Sequence, residues 1–271
     1  MNIRGAIKEC LPPVFLKWFR ANKLRRYGWF GDYRDWEEAK RLSKGYESGI
    51  ILEKVKEASM KVKEGNAACE RDSMLFKKIE YSWSLLAALM WIAADRGGRL
   101  NIIDFGGSLG TAYFQNRFFL SALKEVNWGV VEQRHFVECG KRHFEDDRLK
   151  FYETIGDCLK VQTADAILFS NAIQYVKKPY GLISGAVDTG FKYIVFDRTS
   201  FNSPADRDRL TIQRVNPDIY DASYPCWFFN EKRFLSLFEK RYRLVADFES
   251  GDRANIPSVF KGFIFKKKEN V

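Results

Sequence analysis

Residues 101–115 read NIIDFGGSLGTAYFQ, so an apolar run ends in Asp104 and passes straight into Gly106, Gly107 and Gly110. Glycine tolerates left-handed backbone and lets the main chain approach a ligand closely. A strand that breaks into such a turn and then a helix is therefore a binding element, and nucleotides, dinucleotides and S-adenosylmethionine all use one. A Walker phosphate loop requires Lys after its last glycine, and Thr111 stands after Gly110. The dinucleotide pattern G-x-G-x-x-G, started at Gly106, would need glycine where Ser108 and Thr111 stand. The spacing that fits is acid-x-G-x-x-x-G, with Asp104 at the strand end and Gly106, Gly107, Ser108 and Gly110 forming the turn.

The acid carries chemical meaning. S-Adenosylmethionine has no pyrophosphate to cradle; it has an ammonium group and a sulfonium, both favoured beside carboxylates. Its ribose presents two hydroxyls to an acceptor at the end of the second strand. Glu132 ends the run WGVVE, 22 residues past Gly110, close to the offset of about 20 residues for a ribose-binding acid. NAD uses a similar acid and is the competing ligand, while a bare strand–helix connection is the plain structural reading. Ligands of parallel sheets lie outside the carboxyl ends of the strands. This puts Glu153 and Thr154 of FYET near an adenine, and Ser170, Asn171 and Gln174 of LFSNAIQYV by the methionine portion or the acceptor.

The acceptor side falls on residues 197–230, too long for an ordinary connection and expected to be a lid. At its start, Asp197 is placed to take the proton of an attacking hydroxyl. Arg198 would pin Asp197 or bind an acceptor phosphate; alternatively the two form a structural ion pair. Arg207, Arg209, Gln213, Tyr220, Tyr224 and Trp227 supply groups that hydrogen-bond and stack on sugars. The two histidines, His135 and His143, share the helix after the second strand, so neither a His base nor a His metal site is expected.

Several elements must hold these residues in place. From residue 100 short apolar runs alternate with helical stretches: 100–105, 128–133, 149–154, 165–170 and 192–197. Such alternation implies βαβ units and a parallel sheet. The runs 242–250 and 259–266 follow without a helix between them and read as an antiparallel hairpin at the sheet edge. Five parallel units and a hairpin are the layout of a Rossmann-like class I methyltransferase domain, an α/β fold. Upstream, residues 34–64 have helical periodicity broken near Gly45 and Gly49, and a further helix is expected over 72–95 with Asp72 or Ser73 as its cap. The domain reading is a basic aromatic arm (1–30), a helical segment (31–98) and the donor-binding domain (99–271).

The net charge of +10 is concentrated at the ends: +6 over residues 1–30 and +3 over 261–271, leaving the body near +1. That excludes a body-wide nucleic-acid surface. Five cysteines without a CxxC pair suggest neither a disulfide framework nor zinc, and fit a reducing cytoplasm. No apolar run is long enough to span a bilayer. Residues 11–30 group Phe15, Trp18 and Phe19 among basic residues, so they would either lie in the inner membrane interface or pack on the domain.

The runs ERD (70–72), IDFGGSLGT (103–111), VVEQ (130–133), LFSNAIQYV (168–176), FDRTSF (196–201), DRLTIQRVNPDIYDASYPCWFF (208–229) and FKGFIF (260–265) occur in this order. In them the chain resembles methyltransferase-like proteins encoded among bacterial surface-polysaccharide and O-antigen genes, over roughly residues 30–268. The resemblance implies S-adenosylmethionine as methyl donor and a saccharide or lipid-linked saccharide as acceptor. The rivals are a non-catalytic partner protein of this fold at the membrane face and an NAD-dependent sugar-modifying enzyme.

Overall fold

The computed structural model describes residues 26–45, 49–71, 74–76, 78–79, 81–204, 206–217 and 219–269. The arm expected over 1–30 lies outside this set but for its last five residues, and so do Asp72 and Ser73.

The N-terminal part holds β1 (Gly28–Phe30), α1 (Trp36–Arg41), α2 (Gly49–Lys63), β2 (Cys69–Arg71), β3 (Met74–Phe76) and α3 (Trp83–Asp95). Asp35 caps α1 by accepting from the Glu38 N–H. Two expectations change here. The segment 31–98 is not wholly helical, because β2 and β3 form a small antiparallel hairpin. The last helix starts at Trp83 with Ser82 as N-cap, eleven residues after the expected start at residue 72. Its end at Gly97 and Gly98, both with positive φ, is as expected.

Beyond it, β4 (Arg99–Phe105), α4 (Thr111–Leu120), β5 (Glu125–Val131), α5 (Arg134–His143), β6 (Leu149–Tyr152), α6 (Ile155–Val161), β7 (Ala166–Ser170), α7 (Pro179–Thr189) and β8 (Tyr193–Asn202) alternate. β9 (Arg209–Arg214), β10 (Ser223–Phe228), α8 (Glu231–Ser236), β11 (Tyr242–Glu249) and β12 (Ser258–Lys267) complete the chain. The main sheet has seven strands in the order β11-β12-β8-β7-β4-β5-β6. β4 to β8 run parallel, and β12 joins β8 and β11 antiparallel.

Both faces of this sheet are covered, so adjacent residues of one strand enter different cores. Ile102 belongs to the cluster with Leu89, Trp128 and Phe151. Its neighbour Ile103 belongs to the one with Phe169, Phe196 and Phe234.

Residues 197–230 are not a loose lid. β8 continues to Asn202, and β9 and β10 form an antiparallel sheet with β1 in the order β1-β9-β10. The buried centre of RLTIQR and the inward Pro225, Cys226 and Phe228 give these strands a core of their own. Their density of Asp, Arg, Asn and Pro hides the strand pattern in the sequence.

Candidate active site

The carboxyl ends of β4, β5, β6, β7 and β8 open into a cleft of about 1020 Å³. The turn after β4 forms its floor. Gly106 has φ +71°, and a Cβ there would stand 2.7 Å from the Ala172 Cβ. Gly107 has ordinary φ, but its Cβ would stand 2.5 Å from Asp104 Oδ2. The first glycine thus answers a backbone demand and the second clears space over a carboxyl group.

Asp104 is 1% exposed. Its Oδ2 accepts from Trp128 Nε1 at 3.1 Å, and its Oδ1 is buried without a partner. Burial pushes this carboxyl up to about 7, opposed by the Trp128 hydrogen bond and reinforced by the nearby Glu132 charge. Glu132 follows β5 and accepts from the Gln133 N–H at 2.7 Å and from the Ser108 N–H. It too is raised, chiefly by burial. The acid at the second strand end is therefore tied to the middle of the glycine turn.

Three non-glycine residues have positive φ among the described residues: Ser108 (55°), Asn171 (51°) and Arg198 (55°). All three line the cleft. Backbone in this region costs of order 1 kcal/mol or more for an L-residue and collects at functional sites. Gln174 shows how two of them are held. It is fully buried, and its amide donates to Asn171 Oδ1 at 2.7 Å and to the Arg198 carbonyl at 3.1 Å. Arg198 is also at a β-bulge, where the pairing of β12 with β8 shifts between Lys261 and Phe263. Opposite the bulge, a Cβ on Gly262 would collide with Phe248 and with the Phe196 carbonyl.

The bulge presents Asp197 and Arg198. Asp197 is 1% exposed; its Oδ2 accepts from Ser170 Oγ at 2.8 Å and its Oδ1 from Ser82 Oγ at 3.4 Å. Burial raises this carboxyl, while the Ser170 hydrogen bond opposes the rise. Arg198 reaches Asp252, between β11 and β12, through Nε at 2.8 Å and a terminal nitrogen at 3.2 Å.

Asp104, Gly106, Gly107, Ser108, Glu132, Glu153, Ser170, Asn171, Asp197, Arg198, Gln213, Tyr220 and Tyr224 all line the cleft. Six expected residues do not, each for a visible reason. Gly110 is the left-handed N-cap of α4, turned toward Leu149. Thr154 caps α6 through the Asp157 N–H. Gln174 is the buried clamp just described. Arg207 pairs with Asp32, and Arg209 donates to the Gly31 carbonyl at 2.9 and 3.1 Å. Trp227 donates to the Val176 carbonyl and stacks on Trp36, ring centroids 6.3 Å apart.

The wall away from the glycine turn is aromatic and polar. The Tyr175 hydroxyl donates to Gln213 Oε1 at 2.8 Å, the Tyr175 ring meets Tyr224 edge-on, and the Tyr220 and Tyr224 hydroxyls are 3.4 Å apart. Trp36, Lys40 and Lys44 reach the same cleft from the α1 region. Sequence reasoning missed Tyr175, Ser82, Glu70 and this α1 wall. Only the positions of Glu70, in the ERD run, and Tyr175, in LFSNAIQYV, carried any signal.

The sheet order, with its antiparallel terminal hairpin and glycine turn after the first parallel strand, defines a class I methyltransferase fold. No protein-family model matches the chain, and no curated protein matches it. Solved structures do. The N-terminal domain of EvdMO1 in the presence of SAH and D-fucose aligns at 13% identity over 78% of this chain and 96% of that chain, with a TM-score of 0.49. Magnesium protoporphyrin IX methyltransferase (ChlM) from Synechocystis PCC 6803 with bound SAM aligns at 9% identity, covering 69% and 79%, with a TM-score of 0.45. N-methyltransferase NodS from Bradyrhizobium japonicum WM9 aligns at 13% identity, covering 69% and 96%, with a TM-score of 0.42. At such identities and scores the chemistry of this chain has to be read from its own site.

Proposed function

We propose that this chain is an S-adenosylmethionine-dependent methyltransferase acting on an oxygen of a saccharide or lipid-linked saccharide in surface-polysaccharide synthesis. One observation carries the donor half: the glycine turn is backed by carboxyl groups. Asp104 lies beneath it with an unpartnered buried oxygen, Glu132 grips its middle, and residues 104–112 contain neither Lys nor Arg. A dinucleotide pyrophosphate would meet negative charge there, whereas a sulfonium and an ammonium group are stabilised by it. The missing Cβ of Gly107 lets the main chain of the turn lie directly over Asp104.

On this reading Gly106–Ser108 and Asp104 would hold the methionine portion, Glu132 the ribose hydroxyls, and Glu153 the adenine side. S-Adenosylmethionine, when bound, supplies an electrophilic methyl group on a sulfonium. The protein contributes alignment and a place for one proton. Ser170 and Asp197 both line the cleft, and Ser170, whose Oγ donates to Asp197 Oδ2, would take the acceptor's proton while passing its own to Asp197. The aromatic wall of Tyr175, Tyr220 and Tyr224 with Gln213 suits a sugar, whose C–H faces stack on rings and whose hydroxyls need polar partners. A lipid-linked acceptor fits peripheral contact with the inner membrane face through residues 11–30. Among the described residues, no helix is long and apolar enough to cross a membrane.

Incubation with methyl-labelled donor and saccharide fractions from a strain lacking the protein tests the proposal. Label is expected in a saccharide or lipid-linked saccharide, and much less of it with Asp197→Asn. Bound donor with no label in any saccharide fraction would refute the acceptor half.

A further inference from the structure

We infer that Glu70, brought to the cleft by the β2–β3 hairpin, is the counter-ion for the α-ammonium group of the methyl donor. The inference rests on the donor reading above and assigns a residue outside the parallel-sheet framework to that site.

Glu70 is 6% exposed although it lies in a three-residue strand near the surface of the fold. A glutamate is rarely buried so deeply without a purpose, because removing its charge from water is costly. It lines the cleft and accepts a hydrogen bond from the hydroxyl of Thr111, the first residue of α4. β2 packs against both α2 and α4, which fixes the carboxylate at the mouth of the helix that follows the glycine turn.

This placement decides the sign of the ligand. A helix start after a glycine turn ordinarily attracts anions. Here the sequence instead delivers a carboxyl group to it, which bonds the first residue of the helix and lines the cleft. The same turn covers a second carboxyl group, that of Asp104, whose buried Oδ1 has no partner and which also lines the cleft. Among the described residues, the cations that line the cleft, Lys40, Lys44 and Arg198, come from α1, from the segment after it and from the β8 bulge. Two of them are engaged elsewhere: Lys44 with Asp221 and Arg198 with Asp252.

Glu132 and Glu70 thus hold different points of one turn, Ser108 at its middle and Thr111 at its helix end. The donor brings two demands to match them. Ribose hydroxyls need an acceptor at the second strand end, which Glu132 provides, and the ammonium group needs a charge beside the methionine-binding stretch, which Glu70 provides. The hairpin that carries Glu70 therefore completes the donor site.

Calorimetry of wild type and Glu70→Gln with S-adenosylmethionine, S-adenosylhomocysteine and 5′-methylthioadenosine, which lacks the amino-acid portion, tests this. Gln preserves volume and an acceptor for Thr111 while removing the charge. Its affinity for the two amino-acid-bearing ligands should fall about tenfold, the scale of one charge-assisted hydrogen bond, with 5′-methylthioadenosine changed less than about twofold. Equal weakening of all three ligands, or of none, overturns the inference. A measurement on the wild type alone guards against a variant that fails to fold. The deamino analogue of S-adenosylhomocysteine should bind about tenfold more weakly than its parent, and equal binding overturns the inference. A wild type that binds none of these ligands refutes the donor reading itself, which is a different outcome.

Discussion

Replacing Asp104 by Asn tests the electrostatics of the glycine turn without any ligand. Asp104 is 1% exposed, holds one hydrogen bond from Trp128 at 3.1 Å and leaves Oδ1 unpartnered. Its carboxyl is raised from 3.8 to about 7, mainly by burial. The native state therefore binds this proton more tightly than the unfolded chain. The resulting stability is fully present below about pH 4 and is lost as pH rises through about 7. Each pH unit in that window costs about 1.4 kcal/mol, so between about pH 5 and about pH 8.5 the loss from this group approaches ~3 kcal/mol. Asn keeps the size and an acceptor for Trp128 but does not titrate. Asp197, also raised by burial, adds a slope of the same sign to both proteins and cancels in the difference, while the smaller coupling to Glu132 belongs to the Asp104 effect itself. Urea unfolding of wild type and Asp104→Asn at the two pH values should show the wild type losing about 2–3 kcal/mol more than the variant. Equal losses would refute the claim that the turn covers a penalised carboxyl group.

Other perturbations follow from the same geometry. Gly107→Ala keeps an allowed backbone but drives its Cβ to 2.5 Å from Asp104 Oδ2; a rise in donor Kd of about tenfold or more, read by calorimetry, is expected, with thermal stability lowered by ~1–3 kcal/mol. Ser108→Gly relieves a φ of 55° and should change stability by only a few tenths of a kcal/mol to about +1 kcal/mol, whereas Ser108→Val should destabilise by ~1–2 kcal/mol in chemical unfolding. Glu132→Ala should weaken donor binding by ~1–3 kcal/mol, and unchanged affinity would remove Glu132 from the ribose role. Gln174→Leu leaves the clamp on Asn171 and Arg198 unmade, so labelled-methyl transfer should fall together with a stability loss of ~1–3 kcal/mol.

Much of this architecture is legible in the chain because local rules and global fold agree there. The apolar runs ending in Asp104, Glu132 and Ser170 have the length and composition of buried parallel strands, and the glycine spacing marks the turn between β4 and α4. What escapes is set by tertiary pairing. β2 and β3 are three residues each, too short for any periodicity, so Glu70 looks like one more surface acid until the hairpin packs on α4. β9 and β10 carry Arg, Gln, Tyr and Pro, and they pair with β1 and pack against α1, β8 and residues 173–175; from sequence they read as a lid. Gln174 and Trp227 have cleft-like chemistry, yet three-dimensional packing directs their polar groups to backbone carbonyls. Thr154 follows a strand as a ligand residue would, and the helix start claims its hydroxyl first.

Calorimetric titration of the purified full chain with S-adenosylmethionine, S-adenosylhomocysteine and NAD tests the central claim most directly. Saturable heat with both sulfur ligands and none with NAD is the predicted result. Heat with NAD alone, or with none of the three, would contradict a methyl-donor site at the Asp104 turn.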